Sequence, residues 1–116
     1  MTKTRRILIV EDSATQAMKM QDILEGEGWE VECAQTGEEA LESLNKSKPD
    51  LVIVDFYLPG IHGDVLCRQI RMNMEIQMIP ILMLTNNEMN ASKAHWRESG
   101  ADDYLAKSAY SDVLLQ

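Results

Sequence analysis

The sequence predicts a doubly wound α/β domain, in which five parallel strands alternate with five helices. Three observations predict it. First, three short apolar runs, Ile7-Leu8-Ile9-Val10, Leu51-Val52-Ile53-Val54 and Ile79-Pro80-Ile81-Leu82-Met83-Leu84, show no polar alternation. Unbroken runs of this kind fit strands covered on both faces, as in the middle of a parallel sheet. Second, capping residues and helical periodicity fill the intervals between the strand signals. Third, 116 residues with 45% hydrophobic and 26% charged content make one domain, large enough to bury a real core. Strict β/α alternation with right-handed crossovers places the helices on both faces of the sheet.

Taken in order, the first strand runs from Ile7 to Val10 and stops at Glu11-Asp12. Ser13-Ala14-Thr15-Gln16 is a Ser-x-x-Gln capping box that opens a helix. Its apolar positions are Ala17, Met20 and Leu24, with Ala14, Met18 and Ile23 beside them, and Gly26 and Gly28 close it. Val31 to Ala34 alternates in part and reads as a strand nearer an edge. Thr36-Gly37-Glu38-Glu39 is a second capping box, and Ala40, Leu41 and Leu44 give the next helix its apolar face. Pro49 introduces the strand ending at Asp55, and Pro59-Gly60 turns the chain. A helix carrying Val65, Leu66 and Ile70 follows Gly60 and Gly63. Pro80 lies near the start of the fourth strand, where a missing donor does least harm; that strand ends at Thr85-Asn86-Asn87. A helix around 91–99 is ended by Gly100, and Asp103 to Ala106 is a short strand ending at Lys107. Ser108 to Gln116 begins a last helix of about two turns, against the three typical of globular helices. The reading is therefore a single domain over 1–116 whose final helix is truncated from a longer multidomain protein. The expected strand order is the flavodoxin-like 2-1-3-4-5, with the most apolar strands central.

A net charge of −8 with scattered basic residues argues against direct nucleic-acid binding by this domain. No apolar run approaches the roughly 20 residues that span a bilayer, and the apolar stretch after Arg6 is too short for a signal peptide. A cytoplasmic location is the expectation. Cys33 and Cys67 have neither disulfide nor metal spacing and read as core or partly buried thiols. Neither a Gly-rich dinucleotide turn nor a phosphate-binding Gly-Lys-Ser/Thr loop is present.

In a parallel sheet of this kind the carboxyl ends of the strands share one rim, where open α/β sheets place their ligands. That rim would carry Glu11 and Asp12 from the first strand, Asp55 from the third, Thr85 from the fourth and Lys107 from the fifth. Singly, each has a plain explanation as a cap, a strand former or a solvated charge; jointly they describe chemistry. Three carboxylates within a few ångströms repel one another, and without a counter-charge some would hold protons. An all-oxygen, carboxylate-rich, partly wet site suits Mg²⁺. With an ammonium and a hydroxyl added, it is complementary to a phosphoryl group. Asp55 can then act as a nucleophile that forms an aspartyl phosphate.

The segments Ile-Leu-Ile-Val-Glu-Asp-Ser, Val-Ile-Val-Asp-Phe-Tyr-Leu-Pro-Gly, Leu-Thr and Gly-Ala-Asp-Asp-Tyr-Leu-Ala-Lys, in that order along nearly the whole chain, resemble a response-regulator receiver domain of two-component signalling, of the chemotaxis-receiver type. The resemblance implies that Asp55 accepts phosphoryl from a phosphohistidine on a sensor histidine kinase or histidine phosphotransfer protein. It implies a Mg²⁺ (or Mn²⁺) site formed by Glu11, Asp12, Asp55 and the backbone carbonyl of Tyr57. It also gives Thr85 and Lys107 to the phosphoryl group, and makes Tyr104 the switch aromatic. The face formed by the fourth helix, fifth strand and fifth helix would meet an output domain or partner, with a homodimer possible. Such a domain catalyses only its own phosphorylation and dephosphorylation.

The sequence departs from the family pattern at Ser108, where a proline usually follows the lysine. A cis bond to a non-proline residue costs about 2.5–4 kcal/mol, so either the loop carries that strain or it takes a trans path that shifts Lys107. Asn86 is larger than the small residue usual after the threonine, and Tyr57 and Asn87 fall at positions that tune phosphoryl lifetime. Two rival readings are a degenerate receiver that only binds partners and a Mg²⁺-dependent phosphohydrolase. The second needs an Asp two residues after the nucleophile, where Tyr57 stands. Of the remaining residues, His62, His95 and Trp96 are expected at the surface and Trp29 in packing at a strand start. The eight methionines are expected chiefly as core fillers, with Met72, Met74 and Met78 forming a candidate contact patch.

Overall fold

The computed structural model describes residues 5–85 and 99–106, with the backbone alone at Thr85 and Ala106. Within them the chain runs β1 (Arg6–Val10), α1 (Ala14–Gly26), β2 (Glu30–Ala34), α2 (Gly37–Lys46), β3 (Leu51–Asp55), α3 (Gly63–Met72), β4 (Ile81–Thr85) and β5 (Asp103–Ala106). All four strand pairs are parallel and the sheet order is β2-β1-β3-β4-β5, as the sequence predicts. The expected helix around 91–99 enters the described residues only at Ser99, and the last helix lies outside them. No described helix is long and apolar enough to cross a membrane.

Each central strand is buried on both faces because its two side-chain sets enter two different cores. Leu8 and Val10 of β1 and Val52 and Val54 of β3 pack with Ala40 and Leu44 of α2 and Leu66 and Ile70 of α3. Ile7, Ile9 and Ile53 point the other way, onto Met20 and Leu24 of α1. This two-sided burial is the reason the runs show no alternation. β2 is an edge, and Glu30, Glu32 and Cys33 on it are exposed, charged side chains that discourage a further strand from pairing there. Arg6 lies 3.9 Å from Glu30 and 3.3 Å from Glu32, closing that edge over β1.

Both capping boxes form, each with one half altered. Ser13 Oγ accepts the Gln16 N–H at 3.3 Å, but the Ser13 N–H donates to Glu11 Oε2 at 3.2 Å. Thr36 Oγ1 accepts the Glu39 N–H at 3.1 Å, and Glu39 Oε2 takes the N–H of Gln35, one residue earlier than a strict box requires.

The end of the sheet opposite the carboxyl rim is laced by Arg71, on the last turn of α3. Its guanidinium donates to the carbonyls of Gly100, Gln77 and Ile79 at 2.7–2.8 Å and to Asp102 Oδ2 at 2.9 Å. Asp102 Oδ2 also accepts the Ile81 N–H at 2.8 Å. One side chain thus ties α3, the start of β4 and the turn before β5. Methionines behave differently from the expectation: among the described residues only Met20 and Met83 fill the core, whereas Met18, Met72, Met74 and Met78 are exposed. The last three stand at the end of α3 and in the loop after it. Trp29 packs beside the α1-side core, with the Arg5 guanidinium 5.7 Å from its ring.

Candidate functional site

β1 and β3 are neighbours in register, with Val10 opposite Val54, so the residues that follow them on the rim meet. Glu11, Asp12 and Asp55 each offer a carboxylate oxygen, and these oxygens lie within 4.8 Å of one another. Glu11 and Asp55 are both 1% exposed, whereas Asp12 is exposed. The cluster therefore opens to solvent from the Asp12 side.

Backbone amides orient the two buried acids in the same way. The Ser13 N–H donates to Glu11 Oε2 at 3.2 Å and the Tyr57 N–H donates to Asp55 Oδ1 at 3.1 Å. In both cases the donor lies two residues beyond the acid, so each loop folds back on its own carboxylate. Glu11 is further fixed by its N–H to Ala34 O at 2.9 Å, and Phe56 by its N–H to Leu84 O at 2.9 Å. The acids are thus held by the ladder ends of four strands, β1 with β2 and β3 with β4, a rigid mounting for a site.

The donor set fits a hard divalent cation. It consists of oxygen alone, it is anionic, and three like charges this close together are stabilised by a counter-charge. Among the described residues no His or Cys joins the group, so a preference for zinc has no basis in these ligands.

The turn from β3 into α3 shows what sequence reasoning missed. A Cβ at Gly63 would run into the Asp55 carbonyl oxygen and lie 2.9 Å from Phe56 Cα. The Gly63 N–H donates to Phe56 O at 2.9 Å. Only glycine lets α3 start this close to the acid. Its signal in the sequence was present, a glycine at a helix start, but the reason for it lies in a contact. Phe56 is half-buried against the core, and Tyr57 meets it edge-on at 4.9 Å between ring centroids. His62, expected as an ordinary surface group, is exposed but lies 6.3 Å from the Phe56 ring and 6.4 Å from the Tyr57 ring. Its position in the chain gave no hint that it stands beside the rim.

Of the other expected site residues, Thr85 ends β4 opposite Ala106, by backbone, and Tyr104 is half-buried against the α2/α3-side core. Asn86, Asn87, Lys107 and Ser108, with the bond between the last two, lie outside the described residues, as do His95 and Trp96. Cys67 is buried as expected; Cys33 is an exposed residue on the edge strand, its thiol 3.7 Å from Gln21 Oε1.

Comparison with known proteins agrees with the fold. The phosphate regulon transcriptional regulatory protein PhoB of Rhizobium meliloti is 38% identical over 110 residues, covering 95% of this chain and 48% of that protein. Protein PilH of Pseudomonas aeruginosa is 34% identical over 111 residues, covering 96% and 92%. The chain thus spans about half the length of the first relative and most of the second. Among solved structures, chemotaxis response regulator CheY4 of Vibrio cholerae superposes with a TM-score of 0.90 at 31% identity, over 97% of this chain and 94% of that one. The receiver domain of a signal transduction histidine kinase from Syntrophus aciditrophicus gives 0.83 at 34%, over 97% and 90%. The family model described as the response regulator receiver domain matches residues 7–116, nearly the whole chain, and the protein accordingly belongs to the response-regulator receiver domains of two-component signalling.

Proposed function

We propose that Asp55 is the phosphoacceptor, taking phosphoryl from a phosphohistidine on a sensor histidine kinase or a histidine phosphotransfer protein. The observation that carries this reading is the convergence of Glu11, Asp12 and Asp55 within 4.8 Å, with Asp55 buried at the end of β3. An Asp55 carboxylate oxygen attacks phosphorus; the O–P bond forms as the N–P bond breaks. The imidazole leaves with the electron pair and takes up a proton. The Tyr57 N–H at Oδ1 fixes the plane of the carboxylate before attack, so orientation costs nothing at the moment of transfer.

Mg²⁺ or Mn²⁺, held by Glu11, Asp12, Asp55 and the Tyr57 carbonyl, would supply charge neutralisation for the acids and for the incoming phosphoryl group. Lys107 would pair with that group and Thr85 would hydrogen-bond to it. A phosphoryl group adds about 1.5 to 2 negative charges and three acceptor oxygens. Contacts made only to the phosphorylated form bias a two-state element, with Tyr104 as the aromatic that changes place. The readout is binding of an output domain or partner at the face carrying β5. Hydrolytic turnover is the weaker reading, because the position two residues beyond Asp55 holds Tyr57, whose ring packs on Phe56 and His62 and supplies no carboxylate.

The metal requirement is tested with a low-molecular-weight acyl phosphodonor. Labelling of the wild-type chain is expected in Mg²⁺ and lost on chelation. Asp12→Asn, with Asp55 intact, is expected to cut labelling at least tenfold at a fixed, sub-saturating Mg²⁺ concentration, since outer partners and ligands are worth about 10–100-fold. Undiminished labelling under either condition would contradict the metal assignment.

A further inference from the structure

The geometry points to His62 as a positioning residue that holds the Tyr57 ring at the acceptor rim and thereby lengthens the life of the phosphoryl group on Asp55. This rests on the reading of Asp55 as phosphoacceptor. Three observations carry it.

His62 is the N-cap of α3 and makes no side-chain cap hydrogen bond. Ser, Thr, Asp and Asn are strongly preferred at such a position, because their oxygen accepts an otherwise orphaned N–H. The side chain at 62 forgoes that contact, and what it makes instead is a ring contact with Phe56 and another with Tyr57. The three rings form a closed set, with centroid separations of 4.9, 6.3 and 6.4 Å and interplanar angles of 72°, 64° and 63°. Edge-on pairs at these separations are attractive.

Of the three rings only Phe56 is packed against the core, and Tyr57 and His62 are both exposed. Gly63 pins residue 62 beside Phe56 through its N–H to Phe56 O at 2.9 Å. Tyr57, 44% exposed, is the member that would swing if either neighbour were lost. Its own amide is bonded to Asp55 Oδ1, so the ring is rooted two residues from the acceptor. A ring confined there obstructs the in-line water that hydrolysis of an acyl phosphate needs. A ring that rotates freely does so only part of the time.

The test uses the full chain as wild type, His62→Ala, His62→Asn, His62→Phe, Tyr57→Ala and the Tyr57→Ala/His62→Ala double variant. Each is loaded with acetyl phosphate and Mg²⁺, the donor is removed, and loss of phosphoryl is followed by intact mass at one pH. His62→Ala is expected to shorten the lifetime about two- to tenfold, the span that loss of the one ring pair with Tyr57 allows. His62→Asn supplies a better helix cap and no ring; it is expected to keep or raise stability in urea while showing the same short lifetime. His62→Phe keeps a ring and is expected to keep the wild-type lifetime. In the Tyr57→Ala background, His62→Ala is expected to change nothing further, since the two act as one unit. A wild-type lifetime in His62→Ala or His62→Asn, a short one in His62→Phe, or additive losses in the double variant would each overturn the assignment. Failure of the wild type to take up label would instead sink the acceptor reading and this one with it.

Discussion

Two cysteines carry the same thiol in opposite settings. Burial pushes the Cys67 thiol up to about 12, offset only in part by its hydrogen bond with Ser99 and by Arg71. The Cys33 thiol is also raised, by partial burial first and then by Glu25 and Glu32. A raised thiol holds less thiolate at a given pH and reacts more slowly. At pH 8, iodoacetamide is expected to modify Cys33 alone, more slowly than a free thiol, and Cys67 only after unfolding; equal rates on the two would contradict the burial. The linkage has a definite sign. The folded state keeps the Cys67 proton across a window in which the unfolded chain, with its ordinary value of 9.0, releases it. The contribution to stability is therefore present below pH 9 and falls as pH rises from there. At Gly63 the constraint is steric. Gly63→Ala is expected to cost about 1–3 kcal/mol, as overpacking does, read as a lower urea midpoint. Phosphoryl uptake should fall with it, since the added methyl presses on the Asp55 carbonyl. An unchanged midpoint would mean that the loop is not held against the strand end.

Among the elements, β1, β3 and β4 were legible because burial on both faces leaves an unbroken apolar record in the sequence. β2 was legible as an edge because one of its faces is wet. The helix starts were legible from Ser13 and Thr36, but the partners of each amide were not, because Glu11 competes for the Ser13 N–H from outside the helix. Arg71 was not legible at all. Nothing in Gln-Ile-Arg-Met announces a guanidinium that reaches carbonyls 6, 8 and 29 residues away, because that pattern exists only once α3 and the turn before β5 are packed together. Arg71→Ala strips those carbonyls of a charged donor. It is expected to cost about 1–3 kcal/mol, chiefly from partners left unsatisfied. The ion pair itself adds little, since Asp102 is 60% exposed. Hydrogen exchange at the Ile81 amide and along β5 should accelerate more than along β1. Uniform acceleration would show that Arg71 serves global stability rather than the join between α3, β4 and β5.

For the molecule as a whole, topology makes the site. Glu11 and Asp55 are 44 residues apart in sequence and meet only because the crossover carries β3 to the side of β1 away from β2. The rim acids could be read from the sequence because each directly follows an apolar strand, and strand ends of one parallel sheet share an edge. The aromatic set around Tyr57 could not, since it depends on where the β3–α3 turn lands rather than on any spacing. The central claim is that this rim exists to place phosphoryl on one carboxylate. The most direct measurement is intact mass after incubation with acetyl phosphate and Mg²⁺, for the wild type and for Asp55→Asn, which keeps the size of the side chain and removes its charge. The expected result is a single phosphoryl adduct on the wild type and none on Asp55→Asn, with the variant still folded. An adduct of equal yield on Asp55→Asn would contradict the account.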